Sequence, residues 1–209
     1  MLRVFIQARM SSRRFPGKVL APLSGQPLIK GLLQQTLRVV PLTQVVVLTS
    51  VESSDDPLVC YLQNLDVAVY RGSLQNVASR FHDCLGHYSC DWFVRLCADS
   101  PFLDPTVLTS VLAHQGRLDL DLVTNVYPRT FPKGHSVEMV KAASFAALNP
   151  QSLSDEEKEH VTAVFYQHPE QFRILNVTSS DPRQASISYV VDTVDDLQRL
   201  ESMRVANTW

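Results

Sequence analysis

The chain has 209 residues, 45% hydrophobic and 19% charged, with a formal net charge of -2. That length suits one α/β domain with a sizeable core, and the charge excludes recognition of nucleic acid through bulk electrostatics, so any anion site must be assembled locally. No run approaches the roughly 18 apolar residues of a membrane helix, and Met1 to Gln7 leads straight into Arg9, Arg13 and Arg14 rather than into a cleavage site, so no signal peptide is read and a cytoplasmic protein with no membrane partner is expected.

The four cysteines, Cys60, Cys84, Cys90 and Cys97, form no C-x-x-C pair and sit in apolar stretches. Reduced, buried thiols are expected. The six histidines lack ligand spacing, which argues against zinc.

Val4, Phe5 and Ile6 form a short apolar run, read as a first buried strand, and residues 8–18 form a polar, basic loop. Pro27 opens a helical pattern over 28–39, with Leu28, Leu32, Leu33 and Leu37 on one face. Val45 to Leu48 reads as the next strand. Helices are predicted over 57–64, 74–88 and 105–114, and strands over 67–70, 92–97 and 121–126. Short apolar strands alternating with helices imply a mainly parallel sheet covered on both faces. Ligands then bind at the loops that follow the strands. Further on, Ser154 and Glu157 spell a capping box opening a helix that runs to His168-Pro169. Strands are predicted over 173–177 and 186–191, and a final amphipathic helix over 194–205, with Leu197, Leu200 and Val205 apolar. One domain over 1–209 is read, with residues about 128–170 as an excursion from it.

The segment Gln7-Ala8-Arg9-Met10-Ser11-Ser12-Arg13-Arg14-Phe15-Pro16-Gly17-Lys18 places four cations directly after the first strand. Arg and Lys with small residues there make an anion cradle, and Gly17 allows close backbone approach to a phosphate. The segment matches neither the Walker A nor the G-x-G-x-x-G pattern. Asp99 and Asp192 each follow a predicted strand, and two carboxylates from separate strand ends suit one Mg²⁺. Asp104, before Pro105, reads as a helix cap, and Asp195 and Asp196 suit a helix's first turn. Asp119-Leu120-Asp121 spells D-x-D, but its place at the entry of an apolar strand accounts for it. Arg95, in a strand of buried character, needs a partner, and Asp99 is the candidate. Tyr127, Phe131, Phe145, Phe165 and Tyr166 cluster where periodicity is weak, so a partner surface or a sugar pocket would bury them.

The basic first loop, Arg71-Gly72-Ser73, Arg80, Ala98 to Pro105, Gly134 to Glu138, Glu159-His160-Val161-Thr162 and Val191 to Leu197 occur in an order that resembles the cytidylyltransferases that make CMP-activated sugars. The spore-coat-polysaccharide branch is the nearest in pattern; CMP-sialic acid and CMP-Kdo synthetases are also similar. The resemblance implies an α/β nucleotide-diphospho-sugar transferase fold, a three-layer sandwich with a mixed, mainly parallel sheet. It implies an enzyme that transfers a cytidylyl group from CTP to an acidic or unusual small sugar, with pyrophosphate released, in surface polysaccharide biosynthesis. It assigns Asp99 and Asp192 to Mg²⁺, and Ala8, Arg9, Arg13, Arg14, Lys18, Arg71, Gly72, Ser73 and Arg80 to the nucleotide. Arg9, Lys18, Asp99 and Asp192 become the catalytic set, Glu138 and His160 the sugar side, and a homodimer pairing through 128–170 is expected. His160, by its neighbours, reads as a structural histidine rather than a base. The chain departs from the family pattern at Ser136, where Asp is common, and around Asp99, where Ala98 and Ser100 replace common Gly and Cys. Two rivals are a glycosyltransferase, which needs the D-x-D, and a nucleotide-binding module without turnover, which the Ser136 change would fit.

Overall fold

The computed structural model describes residues 1–206, the side chains only to Met203, so that of Val205 lies outside the described residues. The chain opens with β1 (Leu2–Gln7) and the loop 8–17. A small hairpin of β2 (Pro22–Leu23) and β3 (Gln26–Pro27) leads into α1 (Leu28–Thr36). The βα alternation follows: β4 (Val45–Ser50), α2 (Asp56–Gln63), β5 (Ala68–Gly72), α3 (Val77–His87), β6 (Trp92–Cys97) and α4 (Pro105–Leu112). The last third holds β7 (Leu122–Thr124), β8 (Glu138–Lys141), α5 (Ala142–Ala146), α6 (Asp155–Glu159), α7 (Ala163–Gln167), β9 (Ile174–Asn176) and α8 (Val194–Ala206).

Seven of these strands form one sheet in the order β5-β4-β1-β6-β8-β7-β9. All its pairings are parallel except the two made by β8, which runs against β6 and β7. The mixed, mainly parallel sheet expected from the sequence is therefore present. The strand pattern gives the physical reason. Val4, Ile6, Val45, Val47, Val94 and Leu96 pack on one face with α1, α2 and α4. Phe5, Val46, Leu48 and Phe93 pack on the other with α3, α5 and α7. Strands buried on both faces read as unbroken apolar runs, which is why the three central strands were visible in the sequence.

The strand order reverses on either side of β1, which lies between β4 and β6. The loops leaving β1 and β6 therefore diverge and leave a crevice at the carboxyl ends of the strands. Several expectations need correction. Residues 186–191 join no strand of the sheet: Ser186 closes a 3-10 turn, Pro182–Ser186, and Ile187 leaves it extended. They follow a single bridge, Lys133 to Ser188, and Val191 N–H donates to the Asp99 carbonyl. The helix expected from Ser154 to His168 breaks at His160 (φ -105°, ψ 65°), leaving α6 and α7. Phe145 and Phe165 are 1% and 0% exposed inside this chain's own core, Phe131 packs against the first face, and Tyr166 stacks on Tyr127. Their clustering gives no reason for a partner surface. Strand β8 puts part of the supposed excursion inside the sheet. The cysteines are free, but only Cys84 is buried; Cys90 and Cys97 are half-buried and Cys60 is exposed. No described helix is long and apolar enough to cross a membrane.

The aromatic packing of the second face is centred on Phe93, whose ring lies 5.3 Å from both Phe5 and Phe145 and 6.0 Å from Phe81. Phe93→Ala leaves a cavity bounded by rigid strands and rings, so it should lower the unfolding free energy by about 3–5 kcal/mol. Urea denaturation measures this; a loss below about 1 kcal/mol would mean that the face repacks freely.

Candidate active site

The cleft at the crevice has a volume of about 540 Å³. The loop after β1 supplies Ala8, Arg9, Arg13, Arg14 and Lys18; β6 and its turn supply Arg95, Cys97 and Asp99; Asp192 comes from before α8, and Glu159 and His160 from the end of α6. A larger cavity, about 630 Å³, lies beyond the 101–105 turn and is lined mainly by apolar and amide side chains such as Leu23, Leu28 and Gln34. It lacks both the paired aspartates and the arginine loop.

Lys18 is where the loop meets the two predicted carboxylates. Gly17, at φ +76°, takes the left-handed conformation that a side chain disfavours, and turns the chain into a short 3-10 segment starting at Lys18. The Lys18 ammonium then donates to Asp99 Oδ2 at 3.0 Å, Asp192 Oδ1 at 3.0 Å and the Val191 carbonyl at 2.9 Å. Its three N–H groups are all used, and the residue is buried. Burial alone would favour the neutral amine. The Asp99 charge and the bonds to Asp192 and Asp99 outweigh it and raise the lysine above its usual range. Arg14 adds an ion pair to the other oxygen of Asp192 at 2.9 Å, on a more exposed side. Arg9 Nη2 reaches Glu159 at 3.3 Å across the cleft mouth.

The cation between Asp99 and Asp192 shows that the two carboxylates converge on one point. Their hard oxygen donors suit Mg²⁺. Among the described residues no third His, Cys, Asp or Glu joins them in a metal-sized group, so the remaining ligands of such an ion would be phosphate and water oxygens. Asp192 is not the cap of α8. Thr193 and Asp196 form a reciprocal cap there, Thr193 Oγ1 accepting from Asp196 N–H at 3.2 Å and Asp196 Oδ2 accepting from Thr193 N–H at 3.0 Å. Asp196 thus has a role that the sequence reading had not given it, and Asp192 is left facing the cleft. Asp104 is the cap expected of it, accepting from Thr106 N–H at 2.8 Å.

The partner of Arg95 is not Asp99. Its guanidinium donates to Glu138 Oε2 at 2.5 Å and to Gln7 Oε1 at 3.1 and 3.3 Å. Glu138 also accepts from Thr162 Oγ1 and from the Tyr166 hydroxyl, both at 2.7 Å. Burial pushes the Glu138 carboxyl up, but Arg95, Tyr166 and Thr162 together hold it below the usual range. Glu138, 5% exposed, sits beneath Arg95, and it is Arg95 that lines the cleft.

The segment at the end of β5 is also rearranged relative to expectation. Arg71 turns away from the cleft, donating to the carbonyls of Ser50 and Glu52 at 2.9 Å each and pairing with Asp56 at 2.7 Å. Arg80 is 0% exposed and forms no surface salt bridge. Its Nη1 donates to the Ser73 carbonyl at 3.1 Å, its other nitrogens have no hydrogen-bond partner, and burial lowers its pKa to about 10. A Cβ on Gly72 would lie 2.8 Å from Arg80 Cγ, so glycine there lets the arginine pass beneath the turn. Ser73 Oγ accepts from Asn76 N–H at 3.0 Å, as a turn into α3 requires. Leu74 and Gln75, rather than residues 71–73, line the cleft. His160 is exposed on the cleft rather than being a satisfied core histidine.

These features define a nucleotidyltransferase-type α/β protein with a cationic loop facing paired carboxylates. The chain belongs to the cytidylyltransferase family, whose model matches residues 3–207. It is 30% identical over 207 residues to the spore coat polysaccharide biosynthesis protein SpsF of Bacillus subtilis strain 168, covering 95% of this chain and 84% of that protein. Among solved structures, a cytidylyltransferase from Leptospira borgpetersenii superposes with a TM-score of 0.91 at 26% identity, over 98% of this chain and 87% of that one. A CMP:2-keto-3-deoxy-manno-octonic acid synthetase complexed with CTP has the same fold, with a TM-score of 0.75 at 15% identity over 99% of each chain. The enzyme class expected from the sequence is therefore established.

The sequence missed Gln7 and Tyr166, and it missed Asp55 altogether. Gln7 and Tyr166 meet Arg95 and Glu138 only across the sheet, and the Asp55 bond that reaches the basic loop spans 45 residues. Arg95→Met should destabilise the protein by about 3–5 kcal/mol, because it strands the buried Glu138 charge. The double replacement Arg95→Met with Glu138→Met should recover most of that loss, as chemical denaturation would show. Equal losses for the single and double variants would mean that the pair is not the source of the cost.

Proposed function

We propose that the enzyme transfers the cytidylyl group of CTP to a hydroxyl of an acidic or otherwise unusual sugar, forming a CMP-sugar and releasing pyrophosphate. The observation that carries this reading is the meeting of Lys18, Asp99 and Asp192 in a cleft edged by Arg9, Arg13 and Arg14. In the reaction a bond forms between the sugar oxygen and the α-phosphorus, and the bond from that phosphorus to the β-phosphate oxygen breaks. Asp99 and Asp192 would hold Mg²⁺, which supplies charge neutralisation on the phosphates and orientation of the reacting oxygens. Arg9, Arg13 and Arg14 bind the phosphates and stabilise the charge that grows on the departing pyrophosphate, and Lys18 adds its positive charge from between the two carboxylates. Lys18, held by Asp99, Val191 and Asp192, keeps its charge in a fixed place, and alignment of both substrates supplies much of the rate. Arg95 and His160 face the same cleft on the sugar side. A soluble homodimer acting in surface polysaccharide assembly fits this reading.

The rival D-x-D has other occupations. Asp119 forms a forked pair with Arg117 at 2.8 and 2.9 Å. Asp121 accepts from Arg173 N–H and Ser144 Oγ. Neither lines the cleft.

Pyrophosphate release, measured with each nucleoside triphosphate against a panel of neutral and acidic sugars, tests the reaction. Activity confined to CTP and acidic sugars is the expected result; turnover of a nucleotide sugar without pyrophosphate would support the glycosyltransferase instead. Asp192→Asn should lower kcat by about 10²-fold or more with the fold intact. Arg9→Ala should weaken CTP binding more than CMP binding. Wild-type turnover by Asp192→Asn at low Mg²⁺ would remove Asp192 from the metal.

A further inference from the structure

Asp55 belongs to none of the motifs above, yet it ties the basic loop of the cleft to the end of β4. The residue is 0% exposed. Its carboxylate is held by hydrogen bonds, with the buried Arg80 guanidinium a nearby opposite charge. Oδ2 accepts three of them from the end of β4: Thr49 Oγ1 at 2.8 Å, Ser50 N–H at 2.9 Å and Ser50 Oγ at 2.5 Å. Oδ1 is directed elsewhere and accepts from the Met10 N–H at 2.7 Å, 45 residues away in the chain.

Met10 is the residue on which the basic loop closes. Its carbonyl accepts from Ser12 N–H at 3.0 Å and from Gly17 N–H at 2.7 Å. Holding the Met10 amide therefore holds both limbs of the loop that carries Arg9, Arg13, Arg14 and Lys18. The end of β4 needs only one carboxylate oxygen. The second oxygen serves the loop, and a charged acceptor makes that bond short and strong. Because Asp55 binds backbone rather than guanidinium groups, it orders the loop without competing for its cations.

We propose that Asp55 is a positioning residue for the triphosphate: it fixes the Met10 amide so that the arginine loop is assembled before the nucleotide arrives. An ordered loop saves on binding the entropy that a loose one would lose, and it keeps the cations aimed without reorganisation during the reaction. This inference rests on the reading of the loop as the triphosphate site.

Asp55→Asn separates the two functions of the carboxylate. The amide oxygen can keep the three donors of β4, but the NH₂ group then faces the Met10 N–H, donor against donor. Hydrogen exchange should rise about tenfold or more in the peptide spanning residues 8–18 and stay unchanged in β4. CTP affinity should fall about tenfold or more, and CMP affinity much less. An unchanged loop peptide, or equal losses for CTP and CMP, would overturn the proposal. Wild-type protein that fails to bind CTP would overturn the nucleotide reading and this role with it. CTP bound equally by wild type and Asp55→Asn would overturn only the role of Asp55. Should the variant not fold, exchange in the wild-type protein decides. The Met10 amide must then exchange far more slowly than those of Arg13 and Arg14, which donate no backbone hydrogen bond among the described residues; equal rates would refute the pin.

Discussion

The Lys18 ammonium is the constraint on which the cleft depends. It is the point at which three distant segments meet: the loop after β1, the turn after β6 and the extended stretch before α8. Its bonds to Val191 and Asp192 span 173 and 174 residues. Without it, Asp99 and Asp192 would be two carboxylates facing one another in a partly buried crevice, and mutual repulsion would drive them apart. With it, two anions and one cation form a compact set whose members have defined positions. The stretch 186–191 is held to this set rather than to the sheet, since Val191 donates its N–H to the Asp99 carbonyl. The bridge between Lys133 and Ser188 holds the other end of the stretch.

A second polar row runs through the face of the sheet that is otherwise packed with phenylalanines. Arg95 donates to Gln7 and to Glu138, and Thr162 and Tyr166 both donate to Glu138. Desolvating the two charges is costly, and replacing both with apolar groups would often cost less. What the row provides is a fixed guanidinium at the wall of the cleft, with a sheet strand on one side and α7 on the other. Thr124 closes the row against the Tyr166 hydroxyl at 2.8 Å. The same row matches the register of β8: Glu138 stands opposite Arg95, so the ion pair and the backbone ladder specify the same alignment.

The parts of the fold that could be read in the sequence are those with local causes. β1, β4 and β6 are continuous apolar runs, α1 and α3 follow a 3.6-residue period, and Asp104 and Ser154 cap the helices they precede. β8 could not be read. Its sequence, Glu-Met-Val-Lys, has charged ends, and the glutamate is buried only because Arg95 lies 43 residues away. The helix expected up to His168 contains Val161 and Thr162, whose branched side chains favour the break at His160. Phe145 looked unplaced because its ring partner, Phe93, is distant in sequence.

The candidate site was legible to the same extent and for the same reason. Lys18, Asp99, Asp192 and the arginines stand in runs whose chemistry survives without the fold: several cations together, or an aspartate just past an apolar strand. Arg71, Gly72, Ser73 and Arg80 carried the family pattern, but the structure gives them a supporting place around the turn rather than the cleft wall. Asp55 had no such signal. In the sequence it is one of two aspartates before Pro57, which suits the start of any helix. Yet it caps nothing in α2, and all its bonds go to β4 and to Met10. Two adjacent aspartates before a proline look alike in the sequence. The fold distinguishes them, sending Asp56 to Arg71 at the surface and Asp55 into the joint between the first two strands.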